Sequence, residues 1–198
     1  MTSSDRMNTS MADATDNGPA DDGRTRSAHG DPALDGPAGN GPAGSGLLPP
    51  VPDADGAPFW HYAARRELRV QCCSGCSRLR FPPRPCCPHC HSFDSHWRRM
   101  SGRGRVWSYV LPHPPLLPGY AEQAPYNVVL VELADAPHIR LVGNLVTAPD
   151  APLNSLPPAR LRIGAPVKVT FTELPGGQGP DGVPGGRVTV PRWLLERP

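Results

Sequence analysis

The sequence carries 28 Pro and 21 Gly among 198 residues, a proportion at the edge of the low-complexity range, and its length suits one ordinary domain or two small ones rather than a large multi-domain enzyme. The longest aliphatic run, Val128 to Val131, falls far short of the roughly 18 apolar residues that a bilayer-spanning helix needs. The N-terminus also lacks the basic start and apolar run of a secretory signal, so the expectation is no membrane and a cytoplasmic location. The formal charge of +2 hides a strong asymmetry along the chain.

Residues 1–50 hold seven Asp against three Arg, with eight Gly, six Pro and no aromatic residue. Such a segment buries too little apolar area to offset the entropy of ordering it, so residues 1–56 are expected to form a disordered tail. Apolar patterning begins at Pro58-Phe59-Trp60. Pro suits a first helical turn, and Phe59, Trp60 and Ala63 share a helical face, which predicts a short helix to about Arg65. Leu68, Val70 and Cys72 then alternate with Arg69 and Gln71, the period of a strand.

Between His61 and Arg105, ten Arg face only Glu67 and Asp94. A basic surface of this kind attracts the phosphates of nucleic acid or of a nucleotide-bearing cofactor, or an acidic partner protein. A plainer explanation is a coding bias toward Arg, because Lys168 is the single lysine.

All six cysteines lie between Cys72 and Cys90, in CCSGCSRLRFPPRPCCPHC. Cys73 and Cys76 are two residues apart, as are Cys87 and Cys90, with ten residues between the pairs. Two such knuckles complete a tetrahedron of thiolates around one metal. Cys72 and Cys86 are read as bystanders, because using them would open a knuckle to three residues. A disulfide framework does not suit a chain without an export signal, and a thioredoxin-like site needs a βαβ pattern that is missing. Iron would use the same four thiolates as zinc. Four thiolates leave no open coordination position, so the metal is expected to be a structural zinc. His89, His91 and His96 are assigned no chemistry.

Five strand-like runs follow: Arg105 to Leu111, Tyr126 to Leu133, Ile139 to Val146, the alternating Val167, Val169 and Phe171, and the alternating Val188 and Val190. Gly143 marks a possible barrel kink and Pro191 a strand end or an edge. Five short strands with no long helical pattern between them predict a small closed antiparallel barrel. Two connections stand out: the proline-stiffened loop Pro112 to Pro125, presenting Leu116, Leu117 and Tyr120, and the Gly-rich stretch Leu174 to Gly186, expected to be a mobile hairpin tip. The loop is read either as a partner or acyl-group contact or as a lid folded back on the core.

The order of these features resembles a known family. The shared elements are a Phe-Trp helix, a Leu-x-Val-x-Cys approach, CSGCSRLRFPPRPCCPHC, the Gly-Arg-Gly step at 102–104, Pro125-Tyr126, Leu161-x-Ile-Gly164 and Val190-Pro-x-Trp193. Together they look like the zinc-ribbon plus OB-fold proteins associated with acyl-CoA metabolism, long catalogued as a domain of unknown function. The resemblance implies a mainly β chain: residues 57–100 as helix plus rubredoxin-like zinc ribbon, and residues 101–198 as a five-stranded OB-fold barrel. It implies Cys73, Cys76, Cys87 and Cys90 as the ligands of a structural zinc. Ser77 and His91 stand where the knuckles of the family usually carry Gly, and a left-handed backbone there costs a non-Gly residue roughly 1 kcal/mol.

By function, the resemblance implies a non-catalytic accessory subunit that binds acyl-CoA or scaffolds a thiolase-like condensing or acyl-transfer enzyme. The alternative within the family is a partner of a hot-dog-fold enoyl-CoA hydratase and a lipid-transfer-type aldolase. In keeping with this, the sequence has no Gly-x-Ser-x-Gly elbow, no His-Glu-x-x-His helix and no Walker-type phosphate loop. Arg80, Arg84, Arg103 and Arg105, clustered around the ribbon, are candidates for the phosphates of a coenzyme A thioester or for an acidic partner surface. From a different class comes a single-stranded nucleic-acid binder, in which Trp107 and Tyr109 would share one strand face beside Arg103 and Arg105; the family resemblance argues against nucleic acid.

Overall fold

The computed structural model describes residues 46–176 and 186–196. The helix forms where the sequence placed it, as α1 (Ala57–Ala64), with Pro58 in its first turn and Phe59 and Ala63 buried one turn apart. It ends as Arg66 turns left-handed, with a φ of 59°. Of the expected tail, residues 1–45 lie outside the described residues. The stretch from Gly46 to Gly56 has no regular secondary structure and turns at 54–56 into the helix, where the Asp53 carboxylate accepts the Gly56 N–H at 2.6 Å.

Three short strands make the ribbon: β1 (Arg69–Cys73), β2 (Leu79–Arg80) and β3 (Ser95–Arg99), antiparallel in the order β2-β1-β3. Five longer strands make the barrel: β4 (Arg103–Val110), β5 (Val128–Leu133), β6 (Ala136–Gly143), β7 (Pro166–Leu174) and β8 (Val188–Leu195), in the order β6-β5-β4-β7-β8. A four-residue helix, α2 (Pro118–Ala121), lies inside the long proline loop. The β7–β8 connection, read as a hairpin tip, falls largely on residues 177–185, outside the described residues.

The expected closed barrel is, among the described residues, closed at one end only, because β6 and β8 meet in a single bridge and do not pair along their length. Leu145 and Trp193 form a short parallel bridge, with the Val146 N–H donating to Trp193 O and the Trp193 N–H to Asn144 O, each at 2.9 Å. Buried Asn127 fixes this seam, donating from Nδ2 to Leu145 O at 2.9 Å while its Oδ1 accepts the Leu145 N–H at 2.7 Å. Along the rest of their length, β6 and β8 remain the two edges of the sheet. Pro191 therefore ends nothing: β8 runs through it to Leu195, and on an edge its missing N–H removes no ladder bond. Gly143 serves close packing more than a kink, since a Cβ there would stand 2.9 Å from the Trp193 indole nitrogen.

One apolar core runs through both parts, from Phe59, Leu68 and Val70 on the ribbon side to Val106, Val131, Val167 and Trp193 in the barrel. The expectation that Trp107 and Tyr109 share a strand face is overturned by a bulge. Val106 pairs with Val131 and Ser108 with Leu130, so Trp107 is the extra residue. After it Tyr109 pairs with buried Val129 and packs on the core, whereas Trp107 remains 46% exposed on the outside, beneath the Arg140 guanidinium. No helix among the described residues is long and apolar enough to cross a membrane.

Candidate metal centre

The two knuckles are tight turns built the same way. In one, the Ser77 N–H donates to Cys73 O; in the other, the His91 N–H donates to Cys87 O, both at 2.9 Å. The residue that closes each turn takes the left-handed conformation expected of it, with φ of 58° at Ser77 and 59° at His91. β1 delivers Cys73 and the turn delivers Cys76, while the facing turn carries Cys87 and Cys90.

The four Sγ atoms all lie within 4.8 Å of one another, with Cys73 to Cys90 at 3.5 Å and Cys76 to Cys87 at 3.6 Å. Zn–S bonds of about 2.3 Å place tetrahedral sulfurs about 3.8 Å apart, so the donor set suits a four-coordinate zinc with no open position. Its electrostatics point the same way. Backbone N–H groups, first that of Cys76, pull the Cys73 thiol down to about 6, and those of His89 and Cys90 lower Cys87. The Ser92 N–H also favours the Cys90 thiolate, yet the neighbouring sulfurs of Cys73 and Cys76, with burial, outweigh it and push Cys90 up to about 12. Four sulfurs this close cannot all be thiolates unless a cation neutralises them.

Cys72 and Cys86 stay outside the group. The Cys72 thiol faces the Ser77 carbonyl at 3.5 Å and the Cys86 thiol the Cys87 carbonyl at 3.7 Å. The histidines do not join it either: His89 contacts Arg78 at 2.8 Å and His96 contacts the Ser74 hydroxyl at 3.4 Å. Sequence reasoning passed over Gln71, which braces the ribbon. Its Oε1 accepts from Arg80 Nε at 2.7 Å and from the Arg84 N–H at 2.9 Å, and its Nε2 meets Ser95 Oγ at 2.9 Å. Only its placement opposite Arg80 in the β1–β2 pair reveals that role.

Of the four candidate arginines, Arg80 lies on the ribbon sheet, Arg84 in the loop after β2, and Arg103 and Arg105 on the barrel sheet. Arg80 is buried in the ribbon and committed to Gln71 and to Arg84 O, and Arg84 beside it is exposed. On β4, Arg105 donates twice to Glu132 Oε1, at 2.9 and 2.6 Å, and Arg103 stands 3.4 Å from Glu196. Glu132, also 3.3 Å from Arg140, is held below the usual carboxylate range, chiefly by its hydrogen bond to Arg105.

Comparison with known proteins follows the same division. Residues 60–95 match the model described as ChsH2, rubredoxin-like zinc ribbon domain, and residues 97–172 match ChsH2, C-terminal OB-fold domain. A solved structure titled Ltp2-ChsH2(DUF35) aldolase contains a chain that is 34% identical, with a TM-score of 0.56 over 74% of this chain and 98% of that one. The chain belongs to the ChsH2 (DUF35) family. The zinc ribbon and the OB-fold are thus those of the family the sequence resembles. Among curated relatives, a probable enoyl-CoA hydratase alpha subunit of Thermomonospora curvata is 42% identical over 63% of this chain. A 3-oxo-4,17-pregnadiene-20-carboxyl-CoA hydratase alpha subunit of Mycobacterium tuberculosis is 35% identical over 65%. The match spans only about a third of the length of those two relatives, 35% and 37% respectively.

Proposed function

We propose that this chain is a non-catalytic partner subunit of an acyl-CoA-processing enzyme, in the cytoplasm. The observation that carries the reading is its correspondence with nearly the whole ChsH2(DUF35) chain of an aldolase structure, together with two relatives named as hydratase alpha subunits. Those names favour a hydratase or aldolase partner over a thiolase-like condensing enzyme. Within this reading Cys73, Cys76, Cys87 and Cys90 hold a structural zinc, which supplies a rigid ribbon and no reaction step. Phosphate contacts to a coenzyme A thioester fall to Arg84, Arg103 and Arg105, the exposed members of the arginine set, of which Arg103 also faces Glu196 and Arg105 pairs with Glu132, while Arg80 is engaged in holding the ribbon turn.

The test is purification of the chain from its native host with mass identification of what accompanies it. A hydratase-like or aldolase-like protein at equimolar amount is the expected result, and a thiolase-like condensing enzyme would move the partner to the other class. A protein that is recovered alone, or retained on nucleic acid in a salt-dependent way, would overturn the reading.

A further inference from the structure

Strand β5, VVLVEL, is apolar on both of its faces. Val129, Val131 and Leu133 turn into the core, and Val128 and Leu130 turn outward. An antiparallel sheet with one solvated face alternates apolar with polar residues, whereas a near-continuous apolar run is the mark of a strand covered on both sides. The neighbouring strands repeat the pattern. Val110 of β4 stands opposite Val128, and Ser108 of β4 and Val142 of β6 flank Leu130. Yet nothing among the described residues covers this outer face, since Val110 is 59% and Val142 67% exposed. The other large apolar side chains that stand exposed outside this face, Leu48, Val51, Phe93, Leu117 and Ile163, all lie outside the strands. Scattered exposed residues are ordinary, but a contiguous apolar patch marks an interaction surface.

The bulge in β4 adds Trp107 to the same side, with its ring centre 4.2 Å from Cζ of Arg140. The next register row is charged: Arg105, Glu132 and Arg140 lie side by side across β4, β5 and β6. The Arg105 and Arg140 side chains are 65% and 37% exposed and that of Glu132 only 8%, so an approaching surface meets the guanidinium groups and not the carboxylate. Trp and Arg are the side chains that most often dominate binding energy at protein interfaces. A second copy of this chain brings no exposed carboxylate in these rows to answer the two arginines. The complement is therefore an apolar surface of a different protein, flanked on one side by Asp or Glu side chains.

We propose that the outer face of β4, β5 and β6, centred on Trp107, Leu130 and Val142, docks the enzyme partner through such an acid-flanked apolar surface. The inference rests on the subunit reading above and adds where the contact is made and by what chemistry. It is tested with the enzyme recovered by co-purification, mixed with the full-length zinc-loaded chain. Oxidative footprinting of the wild-type complex should show Trp107 protected. Trp107→Ala and Val142→Asp, both outside the core and checked for folding by metal content and unfolding midpoint, should each weaken the affinity by about tenfold or more in calorimetry. Arg140→Gln should flatten the salt dependence of that affinity, and Phe93→Ser, on the ribbon, should leave it unchanged. Trp107 as reactive in the complex as in the free chain, wild-type affinity in the folded Trp107→Ala and Val142→Asp variants, or an equal loss from Phe93→Ser would overturn the face and leave the subunit reading intact. Recovery of no acyl-CoA enzyme would overturn the subunit reading and this proposal with it. Sedimentation with phosphatidylserine vesicles or self-association, if lost in Trp107→Ala, would give the face to a membrane or to a second copy and overturn the proposal as well.

Discussion

The ribbon and the barrel reach stability by different means, although they share one core. Barrel strands are six to nine residues long and turn alternate Val, Leu and Ile inward, with Val106, Val131 and Val167 fully buried. In the ribbon, β2 is two residues long, and β3 exposes every residue except the half-buried Trp97. Apart from β1, whose Val70, Cys72 and Cys73 are buried, the ribbon strands add little apolar burial; strands this short need a further staple, and the four-cysteine cluster is placed to supply it. The barrel is a packed object to which the ribbon is attached; the ribbon carries a pair of turns whose four sulfurs suit one zinc.

The largest expected effect breaks the ribbon and tests this contrast directly. Cys87→Ser, or exhaustive chelation, should take metal content from equimolar to nil, and zinc binding of this type contributes on the order of 10 kcal/mol to small domains. Hydrogen exchange should then show amides of residues 69–99 losing protection by orders of magnitude while β4, β5 and β7 keep most of theirs. Uniform loss across both parts would mean that the barrel also depends on the metal. Next in size, Trp193→Ala removes the side chain that packs beneath Gly143 at the barrel seam and should cost about 3–5 kcal/mol in denaturant unfolding, with metal content unchanged. The smallest effect sharpens the comparison. Ser77→Gly and His91→Gly relieve left-handed residues and should each stabilise the ribbon by about 1 kcal/mol, seen as slower zinc loss to a chelator without a change in barrel unfolding.

How much was legible in the sequence follows from how local each feature is. Two Cys-x-x-Cys knuckles, the left-handed sites at Ser77 and His91, the Pro58 helix start and the alternating strands are written within a few residues, and each was readable. The face assignment of Trp107 and Tyr109 failed because a bulge depends on how the neighbouring strand pairs, and alternation alone carries no trace of it. Clustering in sequence also misjudged the arginines. Arg80 belongs to the ribbon sheet, Arg84 to the loop after it, and Arg103 and Arg105 to the barrel sheet, and the partners of Arg80 and Arg105, Gln71 and Glu132, come from other strands. No pattern marked Arg192, 4% exposed on β8, because its burial is set by the neighbouring β7 and by the loop that brings the Ala151 carbonyl to 2.9 Å.

By itself, then, the sequence determined the elements and the paired cysteine knuckles, since helix caps, strand periods and thiolate spacing act over distances shorter than a turn or two of chain. The tertiary structure alone decided that, among the described residues, the barrel closes at Leu145 and Trp193, and that Arg192 is buried beside the Ala151 carbonyl with no carboxylate within salt-bridge distance. Those are properties of surfaces brought together from distant parts of the chain, where desolvation and packing are fixed by neighbours and not by the local order of residues.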